Sequence, residues 1–325
     1  MAYGELLGEH ESIRAVRDLV ARIAVSPART VLLYGETGTG KGLVARMLHR
    51  LSAREAKPFV DVNCAAIPAS LMESELFGHE RGAFTGAAGA KPGLIEAADG
   101  GTLFLDEIRE MDLQLQAKLL TLLDTQRFRR LGAVRQTEVN VRFVASTNRI
   151  LLSEVKAGRF RDDLYWRLQV VPVNIPPLRE RGDDVLLLAD AFLKHHGARC
   201  GRVIEGLEPR VAEVFRRYSW PGNVRELENL IERIAILETD PLVRLHQLPD
   251  RILREVEGRA APGAAEPAAV PVGDFHAATD RFQKALIEAA LREANGRHGR
   301  AAARLGLSRH ALRHQMQKLG MIAAP

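Results

Sequence analysis

Gly35-Glu36-Thr37-Gly38-Thr39-Gly40-Lys41 stands between an apolar stretch, Thr30-Val-Leu-Leu-Tyr34, and a helix-forming segment, Leu43 to Arg50. The stretch before it reads as a short buried strand. Strand, glycine-rich loop and helix together make a phosphate cradle. The glycines let backbone N–H groups turn inward, and Lys41 places a positive charge on the outer phosphates. The spacing G-x-x-x-x-G-K in this context predicts a nucleoside triphosphate held by residues 35–42. The competing reading is a glycine-rich turn with a surface lysine. Gly42 occupies the position where Ser or Thr commonly helps to hold Mg²⁺, so the ion must rely on other groups.

Working outward, Gly101-Thr-Leu-Phe-Leu-Asp-Glu107 is a hydrophobic strand ending in two carboxylates. Downstream of a phosphate loop, Asp106 is placed to hold Mg²⁺, directly or through water, and Glu107 to orient and deprotonate a water molecule. Phe59 to Cys64 and Val141 to Asn148 are further short strands with polar ends. If the strands are parallel, Asn63, Thr147 and Asn148 meet the carboxylates at one edge of the sheet. Asn63 serves equally well as a cap on the turn after its strand. These alternating elements predict an α/β fold with a parallel sheet.

Between these strands lies Arg81-Gly-Ala-Phe-Thr-Gly-Ala-Ala88. Gly82 and Gly86 bracket Ala83, Phe84 and Thr85, a composition suited to a flexible tip. A tight turn with Phe84 tucked inside explains it as well. Leu113 to Leu123 is an amphipathic helix, followed by the basic group Arg127, Arg129 and Arg130, readable as a nucleic-acid contact or a solvated hairpin. Arg161 and Arg167 are spaced to reach across an interface to one negative target, or are ordinary surface arginines. Beyond Pro177 the pattern turns helical: Asp184 to Lys194, Glu208 to Tyr218, and Val224 to Leu237 after Trp220-Pro-Gly-Asn223. Such a subdomain acts as a lid, from which Arg225 can approach the phosphates.

Charge is unevenly spread. Residues 1–256 carry 36 Lys+Arg against 35 Asp+Glu, whereas residues 275–325 carry 9 against 3. The net of +6 at the C-terminal end suggests an anionic partner. Residues 257–274 are rich in Ala, Pro and Gly and read as a tether. Beyond it come a helix with Phe282, Ala285, Leu286, Ala289, Ala290 and Leu291 on its apolar side, a short helix Arg300 to Leu305, and a turn at Gly306-Leu307-Ser308. Ser308 is an apt N-cap for a third helix, Arg309 to Lys318. Leu312, Met316 and Leu319 form its inner face; Arg309, His310, Arg313, His314 and Gln317 form a cationic outer face. This is a helix-turn-helix for double-stranded DNA; a three-helix protein-binding module is the alternative. Two isolated cysteines exclude a disulfide framework or a cysteine zinc site. No signal region or spanning apolar run is present, so the expectation is cytoplasmic, without membrane insertion.

Gly82-Ala-Phe-Thr-Gly-Ala87, with the motifs above, resembles the bacterial enhancer-binding proteins, the AAA+ ATPases that activate RNA polymerase carrying sigma-54. The resemblance covers nearly the whole chain. It implies that Gly82, Ala83, Phe84, Thr85, Gly86 and Ala87 contact sigma-54 and that residues 35–42 are the Walker A loop. Asp106 and Glu107 match Walker B, with Glu107 the catalytic base. Asn63 matches a switch residue restraining that base, Thr147 and Asn148 the first sensor, and Arg225 the second. Arg161 and Arg167 match arginine fingers inserted from a neighbouring subunit, in a ring that is typically a hexamer. The expected organisation is an AAA+ α/β nucleotide-binding subdomain, 1–177; a helical lid, 178–256; a linker, 257–274; and a Fis-type helix-turn-helix, 275–325. Most relatives carry an N-terminal regulatory domain, whereas this sequence starts at the AAA+ module: either it is a piece of a longer protein, or it is a regulator lacking a receiver domain that an inhibitory partner restrains in trans, as in the phage-shock-operon activator subgroup. The expected function is ATP- and Mg²⁺-dependent remodelling of the closed promoter complex from enhancer-like DNA. A DNA-remodelling ATPase without sigma-54 specificity, or a non-hydrolysing DNA-binding regulator, are the alternatives.

Overall fold

The computed structural model describes residues 5–258, together with Lys284, Ile287, Leu291, residues 298–304, Leu312, Met316, Leu319 and Met321. The chain enters through α1 (Glu11–Ala24), β1 (Thr30–Tyr34), α2 (Lys41–Arg50), β2 (Phe59–Asn63) and α3 (Ala69–Phe77). A narrow excursion follows, β3 (Gly78–His79) pairing antiparallel with β4 (Lys91–Pro92). Short α4 (Leu94–Ala97) leads to β5 (Thr102–Asp106) and α5 (Leu113–Thr125). A second ribbon, β6 (Arg127–Phe128) with β7 (Thr137–Glu138), precedes β8 (Arg142–Thr147), α6 (Leu151–Lys156), α7 (Asp162–Leu168) and β9 (Pro172–Asn174).

The five longer strands form one parallel sheet in the order β2-β5-β8-β1-β9. Alternate residues of each strand point to opposite faces. Leu32, Leu103, Leu105, Phe143 and Ala145 meet the core that contains α5 and α7 residues. Val31, Leu33, Phe104 and Val144 meet the core built with α1 and α2. Burial on both faces explains why these strands read as near-continuous apolar runs. Asp112 caps α5 by accepting from Leu115 N at 2.8 Å. β9 is short, Pro172–Asn174, and the strand closes before Pro176 and Pro177, which have no N–H to donate.

The lid consists of α8 (Asp184–Arg199), α9 (Pro209–Arg217), α10 (Asn223–Leu237) and α11 (Asp250–Val256), with β10 (Gly206–Leu207) paired to β11 (Leu242–Val243). Trp220, 1% exposed, anchors its core and donates from Nε1 to Phe215 O at 2.8 Å. The helix expected to end at Lys194 continues to Arg199, because Leu188, Phe192, Leu193 and His196 keep one face buried.

Residues 259–325 form a separate compact unit. In it α12 (His298–Arg304) contributes Ala301 and Ala302 to a small core with Ile287, Leu312 and Met316, flanked by Leu291 and Leu319. The expected inner face of the last helix is present at Leu312 and Met316. Ile287 was absent from the expected apolar side of the preceding helix; it is 4% exposed. The tether beyond Gly258 and Ser308, Arg309, His310, Arg313, His314 and Gln317 lie outside the described residues.

Candidate functional site

The carboxyl ends of the strands carry the site. Gly38 and Gly40 take φ of 80° and 103°, the left-handed region that glycine enters without a Cβ penalty. Lys41, the first residue of α2, is buried, and its Nζ donates to Gly35 O at 2.9 Å and Glu36 O at 3.3 Å. Residues 37–43 and 106–107 line a cavity of about 960 Å³, with Leu6, Leu188, Phe192 and Arg225 also on its wall. A Cβ at Gly42 would meet only Phe104 Cε1, at 3.8 Å, so a side chain fits there sterically; the residue itself supplies no oxygen.

The register places Asn63 opposite Asp106 and Tyr34 opposite Thr147. Asp106 accepts from Ser146 Oγ. Glu107, at φ 54°, turns into the cavity, where its carboxylate lies 3.7 Å from Lys41 Nζ and 3.7 Å from Arg109 Nε. Asn148 N–H points at Glu107 Oε2 at 3.4 Å, and its amide donates to Thr37 Oγ1 at 3.2 Å. Asn148 thus joins Glu107 to the phosphate loop. Thr147 is fully buried and bonds Arg149 O at 3.1 Å, so it supports the strand end. Asn63 also serves as a cap, accepting from Ala65 N at 3.0 Å, while Glu107 is held by Lys41, Arg109 and Asn148.

The lid is seated directly on the loop. Arg225 N donates to Gly38 O at 3.3 Å, and a Cβ on Gly38 would stand 2.1 Å from Gly222 O. Asn223 is fully buried with φ 51°, a conformation that Asn tolerates. It donates to Glu36 Oε2 at 3.1 Å and Thr37 O at 3.0 Å, and accepts from Leu178 N at 2.8 Å. Arg179 grips the Glu36 carboxylate with two bonds, of 2.8 and 2.6 Å, holding it below the usual carboxylate range. Arg181, 1% exposed, bonds Thr39 O at 2.9 Å and Pro176 O at 2.8 Å; burial lowers its pKa to about 10. Sequence reasoning missed Arg179, Arg181 and Asn223 as site residues. The only signal was polar residues clustered where the core gives way to the lid. Asn223→Gly is expected to lower stability by about 1–3 kcal/mol, and to weaken ATP binding because Glu36 and Thr37 lose their anchor. Glycine keeps the φ accessible, so a thermal melt and an ATP titration isolate the hydrogen bonds; unchanged values in both would dismiss the anchor.

The 82–87 segment sits between β3 and β4. Gly82 and Gly86 have φ of 81° and 105°, with nothing within 4 Å of a built Cβ. Phe84 is 40% exposed, and its ring meets His79 edge-on at 5.0 Å. It is therefore neither tucked fully inside nor free of the base. That base is stapled: Glu80 N donates to Leu131 O at 3.0 Å, and Arg130 bonds Glu96 at 2.7 and 2.6 Å and Glu80 at 3.1 Å. The basic group after α5 is thus partly an ion-pair hub.

Arg161 binds Asp163 with bonds of 3.0 and 2.7 Å, and Arg167 pairs with Asp124 at 2.9 Å. Neither lines the cavity of its own chain. No described helix is long and apolar enough to cross a membrane.

A parallel sheet of this order, a glycine-rich phosphate loop, a strand-end Asp-Glu pair and a lid bonded to the loop define a P-loop ATPase of the AAA+ class. Residues 6–174 match the sigma-54 interaction domain, residues 179–265 the AAA+ ATPase lid domain, and residues 279–319 the bacterial regulatory protein, Fis family. The chain is 43% identical over 321 residues to the regulatory protein AtoC of Escherichia coli, covering 98% of this chain and 68% of that one. It is 46% identical over 329 residues to the nitric oxide reductase transcription regulator NorR1 of Cupriavidus necator, covering 98% and 64%. The crystal structure of NtrX from Brucella abortus in complex with ADP is similar at a TM-score of 0.72 and 34% identity, covering 98% of this chain and 70% of that one. NtrX in complex with ATP gives the same TM-score at 35% identity, covering 97% and 69%. The chain therefore belongs to the sigma-54-dependent transcriptional activators with an AAA+ ATPase and a Fis-type helix-turn-helix. It spans less than two thirds of NorR1 and 45% of the formate hydrogenlyase activator FhlA.

Proposed function

We propose that this chain uses ATP hydrolysis to press the 82–87 loop against sigma-54 and so remodel the RNA polymerase closed promoter complex. The observation that carries this reading is the loop itself: a tip without packed neighbours at its two glycines, on a base bonded through Arg130 to Glu80 and Glu96. Such a loop changes partner only if nucleotide states differ in the contacts they favour. The experiment is open-complex formation at a sigma-54 promoter with purified chain, with and without ATP. Equal activity without ATP, or at a promoter independent of sigma-54, rejects it.

In the proposed chemistry Lys41 leaves the carbonyls of residues 35 and 36 for the phosphates. Glu107 orients and deprotonates the attacking water. Asp106, lining the cavity, suits Mg²⁺, which would neutralise charge on the phosphates; Gly42 contributes no ligand. Asn148 relays the state of the base to Thr37. Asn63 and Thr147 are proposed to act from behind this layer, as switch and sensor.

Arg161 and Arg167 are proposed to serve a neighbouring subunit in a ring, a hexamer in the fullest form. Arg161→Ala or Arg167→Ala alone should then lower turnover more than about tenfold, equivalent to ~1.4 kcal/mol. Mixing either with a Lys41→Ala subunit, which carries intact arginines, should restore hydrolysis. Mixed oligomers that form and stay inactive count against action in trans.

The proposed organisation keeps an α/β core to residue 177, a lid to 256, a linker 257–274 and a DNA-binding module 275–325, whose Ser308, Arg309, His310, Arg313, His314 and Gln317 face enhancer-like DNA. The narrower phage-shock-operon assignment, with its inhibitory partner in trans, receives no support from the named relatives.

A further inference from the structure

Two cations flank the Glu107 carboxylate. Lys41 Nζ stands 3.7 Å from Oε1, and Arg109 Nε stands 3.7 Å from Oε2, the oxygen that the Asn148 N–H also faces at 3.4 Å. The two oxygens are thus attended separately. Oε1 meets a lysine bound for the phosphates; Oε2 meets groups fixed to the fold. Arg109 follows Glu107 by two residues, in a single 3₁₀ turn, Ile108–Glu110, whose Ile108 is fully buried. Glu110 N donates to Glu107 O at 3.0 Å and closes that turn. The backbone that carries Arg109 is therefore fixed relative to Glu107.

Arg109 is committed at one end only. Its Nη2 pairs with Glu110 Oε1 at 2.8 Å, on a side chain 40% exposed, whereas the Glu107 side chain is 16% exposed. Exposed pairs contribute little, and a partly buried pair is screened less. The Glu110 bond leaves Nε uncommitted: it is buried and has no hydrogen-bond partner among the described residues. A buried donor without an acceptor is costly. The separation from Glu107 is longer than a hydrogen bond, and such contacts at a reacting group commonly tighten when substrate binds. Arg109 does not line the nucleotide cavity, so its route to the reaction runs through Glu107 and not through the nucleotide.

We propose that Arg109 is a positioning residue for ATP hydrolysis: it anchors Oε2 of Glu107 so that Oε1 alone turns to the attacking water. The inference rests on Glu107 acting as the base. When Lys41 moves to the phosphates, Oε1 loses its cation and is free to face the water, while Arg109 and the Asn148 N–H keep Oε2 in place. In the step itself the water oxygen bonds to the terminal phosphorus as the bond to the bridging oxygen breaks. That oxygen leaves on ADP with the electron pair, and the water's proton passes to Oε1.

The test uses the full chain with ATP and Mg²⁺, comparing wild type with Arg109→Ala, Arg109→Lys, Glu107→Ala and the variant carrying both alanines. Steady-state rates separate kcat from KM, and single-turnover hydrolysis reaches the slow variants. Arg109→Ala should lower kcat on the order of 10- to 100-fold, the scale of loss that a misplacement of about 1 Å brings, with KM and Tm close to wild type. Arg109→Lys keeps a cation on the turn and should recover part of the rate. Added to Glu107→Ala, the Arg109→Ala change should cost nothing further, because the group it positions is already gone. Wild-type kcat in Arg109→Ala overturns the proposal, as does an equal loss in both backgrounds, which would locate its effect elsewhere. A lowered Tm with a raised KM would show a structural role and overturns it too. A Glu107→Ala protein that hydrolyses at the wild-type rate removes the base itself, a result distinct from any seen with Arg109→Ala alone, and the proposal falls with it.

Discussion

Glu107→Ala should lower steady-state ATP hydrolysis by on the order of 10²–10⁴-fold, the usual contribution of a positioned general base, while ATP binding persists. The strand ending at Asp106 delivers Glu107 into the cavity, and the residue's φ of 54° turns its carboxylate toward Lys41 and the Asn148 N–H. Removing the carboxylate leaves the glycine loop, Lys41 and the lid contacts to Glu36 and Thr37 in place. It also releases Lys41 from a competing anion at 3.7 Å, so affinity should hold or rise. Glu107→Gln is the companion variant, because it preserves volume and tests the charge alone. Phosphate release and nucleotide titration on the same preparations decide the matter. Hydrolysis within a few-fold of wild type removes Glu107 from the role; loss of binding together with turnover points to collapse of the site.

Phe84→Ala should leave hydrolysis largely intact and abolish promoter opening. A fully buried phenylalanine would cost about 3–5 kcal/mol on truncation. Phe84 is 40% exposed and, among the described residues, its ring partner is His79, so the loss should lie well below that range. Phe84 does not line the nucleotide cavity, and it offers no ligand to phosphate, magnesium or water. Its partner His79 is held from below by Ser74 at 2.8 Å, so the base of the loop keeps its shape without the ring. A melting temperature and ATPase rate near wild type, with no opening at a sigma-54 promoter, is the expected outcome. Wild-type opening by the variant would falsify the assignment of this loop as the working contact; a lowered melt with lowered hydrolysis would show a packing role.

The core was readable because its signals are local. Thr30–Tyr34 carries the apolar run Val31-Leu32-Leu33 and forms β1 over those same five residues, buried up to its last residue. The strands ending at Asn63, Asp106 and Thr147 announce their polar tips, and parallel pairing then brings the tips together without further information. What the sequence hid depends on contacts across the chain. Asn223 looks like a turn residue beside Pro221 and Gly222; only the folded chain shows it reaching Glu36 and Thr37. Arg179 and Arg181 look like ordinary basic residues after two prolines, yet both hold the phosphate loop. Asn63 had two readings that spacing could not separate, and the folded chain holds both: the register sets it opposite Asp106 while its side chain accepts from Ala65 N. Arg142 begins an apolar strand and gives no local hint that its guanidinium is buried against the end of α1.

The coupling of nucleotide chemistry to the loop is tested most directly by placing a photo-crosslinking amino acid at Thr85 and irradiating the full chain with purified sigma-54. Four conditions are compared: no nucleotide, ADP, a non-hydrolysable ATP analogue, and ADP with a metal fluoride that mimics the transferring phosphoryl group. A crosslink to sigma-54 that is strong in the last condition and weak with ADP or no nucleotide is the predicted result. Equal crosslinking in all four conditions, or none in any while the same preparation opens a sigma-54 promoter, contradicts the account.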